Sequence, residues 1–447
     1  MTADTAELSE ILVERVTAWL KRAALGNEDL ERLATGVCDR LHAAGIPLMR
    51  AHLSFSVLHP LYGAVGFTWK RGEGVKVEGL RSSANVSSSE RFLSSPYYHL
   101  LSHGLDHLRR RIRSGDTPEF PVFSDLQEMG ATDYIAFAHL FDNEAAQGMM
   151  GSWTTDSANG FSESMIKALL RVQESLAVAA KMAVLSKLAD NMMTTYLGGN
   201  AGRRVLSGQI RRGDGETMRA VLVMGDLRDS TALADRGGRQ VYIDTLNQFF
   251  DAIASPFNGD GGEILSFVGD GFLAVYPCER HRDPSRIAAE AALRAVRLAN
   301  ARVTELNRHR VASGLEPVRF GLGLHIGNVM LGNVGLKQRL TFSAFGSAVN
   351  EVQRLESLTK KFPTQVVASE AFTTYTSGGW TLLGREALKG VRQKVAVYAP
   401  SSDLLLPDPS QPAGEDLGEA RSDAEQVMLL YRDSRVQRPA LLESIIR

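Results

Sequence analysis

Two aspartates, Asp226 and Asp270, are the residues of this chain best placed to do chemistry. Asp226 follows the buried-strand pattern "RAVLVMG", and Asp270 lies between two glycines in "GEILSFVGDGFLAVYP". If the strands predicted at 219–225, 263–268 and 272–276 are neighbours, both carboxylates lie at one edge of a sheet. Such a pair can hold a divalent cation. Each acid also has an ordinary explanation, since an isolated Asp-Gly is commonly only a turn and Asp226 could instead cap a helix.

The residues after Asp226 predict a helix start that binds phosphate. Ser230 and Thr231 precede the helical stretch "ALADRG" and are expected to cap it. The free backbone N–H groups at such a start, together with the N–H of Leu227, can donate to phosphate oxygens. Beside two carboxylates that hold a cation, these donors predict a site for a Mg²⁺–nucleotide complex.

Composition narrows the class of protein. The chain has 447 residues, 44% of them hydrophobic, and a formal net charge of −1, which predicts two domains and opposes a nucleic-acid partner. Cys38 and Cys278 lie far apart and form no CxxC pair, so neither a disulfide framework nor a zinc site is expected. The polar start "MTADTAELSE" predicts no secretory signal, and "SLAVAAKMAVL" is too short for membrane insertion. We therefore expect a soluble, cytoplasmic protein.

The basic cluster "HLRRRIR" (107–113) is expected to be a solvated face or an interdomain contact, rather than a patch for membrane or nucleic acid.

Residues 1–160 show the pattern of an α/β domain. The run "DYIAFAHLFDNEAAQGMMGSWTT" followed by "GFSESMIKALLRVQESLA" resembles a GAF-type sensor domain, which implies an unknown small-molecule or protein regulator. Periodicity predicts helices at 6–24 and 27–44, the second capped by Asn27, strands at 48–58, 64–72 and 74–80, and a strand pair inside 131–155.

Residues 161–216 are predicted to form a signalling helix followed by a linker. The helix, from about 162 to 197, carries apolar residues at the spacing of a short coiled coil: Leu169, Val172, Leu176 and Ala179. Packing of this face against its own domain is the alternative explanation. The C-terminal tail, 401–447, begins with a stretch rich in proline and acidic residues and is expected to be partly disordered.

The second half of the chain resembles the class III nucleotidyl cyclases over residues 217–400. The motifs that carry the resemblance follow one another in the right order: "DLRDSTALAD", "DTLNQFFDAIASPFNGDGGEILSFVGDGFLAVYP", "RFGLGLHIGNVMLGNVGLKQRLTFSAFGSAVNEVQRLESLTKK" and "ALKGVRQKVAVYAP". The preceding "TTYLGGNAGRRVLSGQIRRGDGET" resembles the flank of bacterial soluble adenylate cyclases that carry a GAF-like N-terminal half. The resemblance implies an α+β fold, in which a ferredoxin-like βαββαβ catalytic domain works as a head-to-tail homodimer with shared active sites.

The resemblance also implies roles for individual residues. Asp226 and Asp270 match the two metal-binding aspartates, which implies two Mg²⁺ or Mn²⁺ ions. Asn350 matches the asparagine that positions the ribose, and Arg354 matches the arginine that stabilises the pentavalent phosphate; in the family both come from the partner chain. Lys389 matches a lysine that contacts the terminal phosphates. Without the resemblance, Asn350 and Arg354 are ordinary polar residues four apart on a helix surface.

Three positions depart from the adenylate cyclase pattern. Ser266 stands where a lysine usually reads adenine, and Ser343 stands where its Asp or Thr partner lies. Two neutral hydroxyls leave the choice of base less constrained. Asp229 stands where glycine is common, and an extra acid beside a triphosphate opposes binding unless it faces solvent or joins a metal.

The expected activity is conversion of ATP to 3′,5′-cyclic AMP and pyrophosphate. One alternative is a cyclase of another specificity, for GTP or a pyrimidine triphosphate. The other is a catalytically silent receptor that binds a nucleotide or a partner protein.

Overall fold

The computed structural model describes residues 9–26, 28–56, 62–81, 90–115, 117–141, 148–279, 282–387 and 394–406. They form two compact units, which divide between Asn191 and Met192. Asn27, Lys389 and most of the predicted tail lie outside the described residues. Within the described ranges, no helix is both long enough and apolar enough to cross a bilayer.

The first unit is built on one six-stranded antiparallel sheet, in the order β3-β2-β1-β6-β5-β4. The strands are β1 (Leu48–Ser56), β2 (Tyr62–Lys70), β3 (Gly74–Arg81), β4 (His107–Arg111), β5 (Asp133–Leu140) and β6 (Gly148–Thr155). The helices are α1 (Glu10–Leu25), α2 (Leu30–Ala43), α3 (Glu90–Leu93), α4 (Pro96–His103), α5 (Val122–Glu128) and α6 (Glu163–Leu197). Strand side chains alternate between two cores, one shared with α1, α2 and α6 and the other with α4 and α5.

The helices and strands predicted for this region are present, with one difference at a cap. Helix α2 begins at Leu30 and is capped by Asp29, whose carboxylate accepts the Arg32 N–H at 2.8 Å. The predicted cap, Asn27, precedes that start by three residues, so it is too far along the chain to serve. The GAF resemblance stays a prediction.

The basic cluster at 107–113 is neutralised inside this unit. Arg109 pairs with the fully buried Asp133 at 2.8 Å and also donates to the carbonyl oxygen of Phe161. Asp133 accepts the Phe161 N–H as well, so this pair fixes the chain just before α6 against β4 and β5. Arg110 pairs with Glu119 at 2.6 Å. Arg109 and Arg110 therefore make contacts within their own unit, while Arg111 and Arg113 are exposed.

Helix α6 buries the apolar residues that the sequence placed in a coiled coil. Leu169, Val172 and Leu176 are fully buried and Ala179 is 1% exposed, all in the core beneath the sheet. For this face of the helix, packing against its own domain is the correct explanation.

The second unit contains an eight-stranded mixed sheet, in the order β13-β14-β12-β10-β7-β9-β8, with β11 paired to β10. The strands are β7 (Gly215–Leu227), β8 (Glu263–Val268), β9 (Gly271–Pro277), β10 (Phe320–Leu336), β11 (Arg339–Phe345), β12 (Val366–Ser369), β13 (Trp380–Glu386) and β14 (Val395–Pro400). The helices are α7 (Gly199–Leu206), α8 (Ser230–Phe249), α9 (Pro284–Ala312), α10 (Ser347–Leu358) and α11 (Glu370–Thr373). The run β7-α8-β8-β9-α9-β10, with spatial order β10-β7-β9-β8, confirms the predicted βαββαβ connectivity.

Helix α7 and the turn after it are bonded to the sheet of this unit. The Asn200 N–H in the first turn of α7 donates to the Glu263 carboxylate on β8 at 2.6 Å. The Asn333 side chain on β10 donates to the carbonyl oxygen of Gln209 at 2.8 Å, and its own carbonyl accepts the Gly213 N–H. These bonds attach residues 199–213 to β8 and β10, the two outer strands of the order β10-β7-β9-β8.

Helix α10 packs directly on a face of β10 that carries glycines. A Cβ at Gly323 would lie 2.5 Å from the backbone nitrogen of Glu356 and 2.5 Å from the carbonyl oxygen of Val352. A Cβ at Gly327 would lie 2.7 Å from the Cβ of Ala348. Because these positions lack side chains, the helix backbone approaches the strand more closely than any larger residue would permit.

We predict that Gly323→Ala lowers the free energy of unfolding of this unit by about 1–3 kcal/mol, because α10 has to move away from β10. The measurement is the thermal unfolding midpoint by calorimetry. Gly259→Ala is the matched control, since an added Cβ there meets nothing within 4 Å. Equal midpoints for the two variants would contradict the close-packing explanation.

Candidate functional site

The two aspartates lie at the same edge of the second sheet. Strand β7 pairs with β9, and β9 pairs with β8, so the three strands predicted as neighbours are neighbours. Asp226 is paired in register with Gly271, the residue after Asp270, and Asp270 lies in the turn between β8 and β9. The Leu227 N–H donates to the backbone carbonyl of Asp270 at 3.1 Å, which ties the end of β7 to this turn.

The electrostatics of this edge suit a divalent cation. Burial raises the pKa of Asp226, and the nearby Asp270 carboxylate raises it further. Lys360 and Arg228 act in the opposite direction, with nitrogens 4.0 and 3.6 Å from Asp226 Oδ2. Two carboxylates that repel each other in a partly buried place are hard oxygen donors whose repulsion a cation relieves.

Asp226 and Asp270 could supply two oxygen ligands to a cation, with water completing its coordination shell, an arrangement common for Mg²⁺. Within the described ranges, no group of three or more His, Cys, Asp or Glu side chains is arranged to hold a metal.

Arg228 links this edge to helix α10, and sequence reasoning did not identify it. Its Nη2 donates to the carboxylate of the buried Glu356 at 2.6 Å and also to the Thr359 hydroxyl. Its Nη1 is buried without a hydrogen-bond partner and faces Asp226 Oδ2. Burial raises the pKa of Glu356, with the charge of Arg228 opposing this. The one sequence signal for Arg228 is its position two residues after Asp226. Its partner Glu356 is distant in sequence, so the sequence does not indicate this contact.

The loop between Asp226 and α8 corrects two expectations. Helix α8 begins at Ser230, so Ser230 and Thr231 lie in its first turn and do not cap it; the N-cap position is Asp229, which makes no side-chain cap bond. The Leu227 N–H is already bonded to Asp270 and is not free for phosphate. First-turn amides, including those of Ser230 and Thr231, have no intrahelical acceptor and remain candidate phosphate donors.

Asp229 has a left-handed backbone, with φ 59°, which is the conformation that favours glycine at this position. Its carboxylate pairs with Arg319 at 2.5 Å and its side chain is 58% exposed. The carboxylate of Asp229 therefore faces solvent, which is one of the two conditions under which it does not oppose a triphosphate. It is also paired with the positive charge of Arg319.

Asn350 and Arg354 lie on the side of α10 that faces away from its own sheet. The helix buries Ala348, Val352 and Leu355 on the other side. Asn350 is exposed, and Arg354 is partly exposed with a buried Nε that has no hydrogen-bond partner. Among the described residues, no hydrogen bond or ion pair joins either side chain to Asp226 or Asp270.

A buried histidine lies beneath the same helix. His325 Nδ1 is 2.9 Å from the Ser369 hydroxyl and its Nε2 is 3.7 Å from the Glu351 carboxylate on α10. Burial, with a smaller effect of Arg219, lowers the pKa of His325 to about 4, so the ring is neutral at pH 7. His325 fills the space between Gly323 and Gly327 and was not identified from the sequence.

The two serines predicted to read the base lie on neighbouring parts of the sheet. Ser266 is on β8 and Ser343 on β11, and these strands lie against each other. Both side chains are partly exposed, and neither has a hydrogen-bond partner within the described part of the chain. Lys389, the predicted phosphate contact, lies outside the described residues.

Part of the chain is similar to known proteins. Residues 216–399 match the family model described as the adenylate and guanylate cyclase catalytic domain. An uncharacterized protein of Mycobacterium tuberculosis (strain CDC 1551 / Oshkosh) is 30% identical over 190 residues, which are 42% of this chain and 32% of that protein. Adenylate cyclase 1 of Rhizobium meliloti (strain 1021) is 31% identical over 150 residues, 33% of this chain and 22% of that protein.

A further relative covers more of the chain. Adenylate cyclase 2 of Rhizobium meliloti (strain 1021) is 27% identical over 324 residues, which are 71% of this chain and 83% of that protein. By contrast, the chain spans about a third of the length of the first relatives it matches. On the match to the family model, residues 216–399 are assigned to the adenylate and guanylate cyclase catalytic domains.

Proposed function

We propose that this chain is an adenylate cyclase, which converts ATP to 3′,5′-cyclic AMP and pyrophosphate. The observation that carries the proposal is the convergence of Asp226 and Asp270 at one sheet edge, inside the segment assigned to cyclase catalytic domains. The start of α8 beside Asp226 supports it, because first-turn amides can bind the triphosphate.

The reaction joins the ribose 3′-oxygen to the α-phosphorus while the bond to the β-phosphate oxygen breaks. Two Mg²⁺ or Mn²⁺ ions held by Asp226 and Asp270 would lower the pKa of the 3′-hydroxyl and neutralise the leaving pyrophosphate. No side chain at this edge stands out as a dedicated base, so the proton passes to water or to a substrate phosphate. Arg354 would stabilise the charge that develops on the α-phosphoryl oxygens, and Asn350 would orient the ribose.

A homodimer with shared active sites is part of the proposal. Asn350 and Arg354 face away from the sheet that carries their own Asp226 and Asp270. The exposed Asn350 side chain and the exposed part of the Arg354 side chain are available to a second copy. A head-to-tail pair would then place Asn350 and Arg354 of each chain at the aspartates of the other.

The choice of base is the finer part of the proposal. Ser266 and Ser343 have free hydroxyls, which can each donate and accept, so they can bind adenine but do not reject other bases strongly. The serine at 266 in place of a lysine therefore favours, as a second candidate, a cyclase that accepts GTP or a pyrimidine triphosphate.

The N-terminal unit is proposed to regulate the activity as a sensor, since α6 is continuous from Glu163 to Leu197 and joins it to the catalytic region.

We predict that the purified chain with Mg²⁺ or Mn²⁺ forms cyclic AMP from ATP. Asp270→Asn should lower the rate about a hundredfold or more, because it removes one of two anionic metal ligands. The measurement is product formation from ATP, GTP, CTP and UTP. Asp251→Asn, at an exposed position, is the control and should keep the rate. Turnover that survives Asp270→Asn would overturn the two-aspartate mechanism, and no product from any nucleotide would favour a silent receptor.

Ser266→Lys is predicted to increase the ratio of kcat/KM for ATP to that for GTP, by about tenfold. A lysine at this position can donate to adenine N1 but meets the N1–H of guanine unfavourably. Steady-state kinetics with both nucleotides provide the measurement. Ser266→Ala serves as the control that removes the hydroxyl without adding a charge. An unchanged ratio in Ser266→Lys would mean that β8 does not contact the base.

Arg228→Lys is predicted to lower kcat about tenfold and to raise the metal concentration needed for half-maximal rate. Lysine keeps the charge but cannot bond Glu356 and Thr359 together while facing Asp226. The readout is the metal dependence of the rate at saturating ATP. Arg319→Lys, whose side chain is 68% exposed and pairs with Asp229, should change both values less than twofold. If Arg228→Lys loses activity only because its unfolding temperature is lower, Arg228 has a purely structural role.

A further inference from the structure

Lys360 brings a positive charge from α10 to the edge that carries the two aspartates. The helix ends at Leu358, and Lys360 lies in the turn that follows it. Its Nζ is 4.0 Å from Asp226 Oδ2, which is too far for a hydrogen bond but close enough for the two charges to attract each other. The Lys360 side chain is 62% exposed, so its ammonium group can move without disturbing the packing around it.

The backbone next to Lys360 is held at this edge. Thr359, which caps α10, is 8% exposed, and its hydroxyl donates to the carbonyl oxygen of Glu356 at 2.7 Å. The same hydroxyl oxygen accepts a hydrogen bond from Arg228 Nη2. The base of the Lys360 side chain is therefore fixed beside Asp226, while its charged end is in contact with solvent.

The two basic groups near Asp226 differ in how firmly they are held. Arg228 is 14% exposed, and its Nη2 is hydrogen-bonded to Glu356 and Thr359. The attraction between Lys360 and Asp226 is exposed to solvent, so little free energy is needed to break it. An ammonium group on a flexible stem suits an anionic partner that is present for only part of the time.

The partner that fits is the terminal phosphates of a nucleotide. This step rests on the proposed function, in which a divalent cation and a triphosphate bind at Asp226 and Asp270. A phosphate oxygen that shares a Mg²⁺ with Asp226 lies within about 4 Å of Oδ2, because each ligand is about 2.0–2.1 Å from the metal. Rotation of the Lys360 side chain is then sufficient to exchange the aspartate, which the cation neutralises, for the more strongly charged triphosphate.

We propose that Lys360 binds the terminal phosphates of a nucleoside triphosphate held at Asp226 and Asp270 of the same chain. Without nucleotide, its ammonium group lies beside Asp226 and partly takes the place of a cation. Lys360 differs in this from Asn350 and Arg354, which are proposed to come from the second copy. Removing its charge should therefore weaken the binding of a triphosphate and strengthen the binding of a metal ion to the nucleotide-free chain.

The test is Lys360→Met in the full-length chain, with Lys361→Met as the matched control. Lys361 is the adjacent lysine, is 58% exposed and pairs with Glu386 on β13 at 2.7 Å. Titration calorimetry in the presence of Mg²⁺ measures the Kd of 3′-deoxy-ATP and of 3′-deoxy-GTP. These analogues keep the triphosphate but lack the attacking 3′-hydroxyl, so they are not cyclised. Electron paramagnetic resonance of Mn²⁺ measures the Kd of the metal for the nucleotide-free chain.

Lys360→Met is expected to raise the Kd of the more tightly bound analogue about tenfold, because a charge-assisted hydrogen bond to phosphate is lost. The Kd of Mn²⁺ without nucleotide should fall about twofold, since a positive charge beside Asp226 has been removed. Lys361→Met should change both constants by less than about twofold. Lys360→Arg keeps the charge and should restore most of the affinity for the analogue.

Equal affinities for the analogue in Lys360→Met and in the unsubstituted chain, or equal losses in the two lysine variants, would overturn the inference. Weaker binding of Mn²⁺ in Lys360→Met would also overturn it, since a purely structural role changes both constants in the same direction. Formation of cyclic nucleotide is measured on the same samples. Cyclic product without the selective loss in Lys360→Met rejects this inference alone, and the selective loss without cyclic product from any triphosphate rejects the proposed function alone.

Discussion

The close approach of α10 to β10 is the constraint on which the catalytic unit depends. Gly323 and Gly327 have no side chains, so at these two positions the helix lies directly against the strand. This fixes the height of α10 above the sheet and brings Glu356 within reach of Arg228 at the end of β7. Because the other side of α10 packs on β10, Asn350 and Arg354 face away from the sheet. This close packing thus fixes both the contact of α10 with Arg228 and the direction in which Asn350 and Arg354 face.

The charges at the sheet edge form one connected set of three acidic and two basic groups. Asp226 has an anionic neighbour in Asp270 and cationic neighbours in Arg228 and Lys360, and Arg228 is shared with the buried Glu356. Removing one member of such a set leaves a charge without its partner in a partly buried place, which costs more than the contact itself contributes. The edge is therefore organised as one electrostatic group that spans β7, the β8–β9 turn and α10.

Much of this arrangement could be predicted from the sequence, because it depends on local patterns. The strand before Asp226, the Gly-Asp-Gly turn and the long helix from about 162 each have a short-range signal, and the neighbouring strands follow from the hairpin. Contacts between distant residues had no such signal. Arg228 and Glu356 are 128 residues apart, and nothing local indicates that they meet.

One wrong prediction, the α8 cap, and one choice left open, the face of α6, had a different cause, since the local signal was present but had two solutions. Ser230 and Thr231 are good caps, yet the left-handed Asp229 starts the helix before them. On α6, two apolar stripes at similar spacing run along one helix, and periodicity alone does not tell which one faces the core. The sheet beneath the helix decides, and its strand order is not written in the helix sequence.

The attachment of α7 to β8, and of the turn after it to β10, affects where this unit ends as a cooperatively folding body. The family match begins at residue 216, but Asn200 and Gly213 lie before it and their amides are bonded to Glu263 and Asn333. A chain cut at residue 216 would leave the Glu263 carboxylate and the backbone carbonyl of Asn333 without these partners. In hydrogen exchange, the amides of Asn200 and Gly213 should open together with the sheet. The segment that matches the family and the segment that folds as one unit thus differ in length, and the folding unit is the longer of the two.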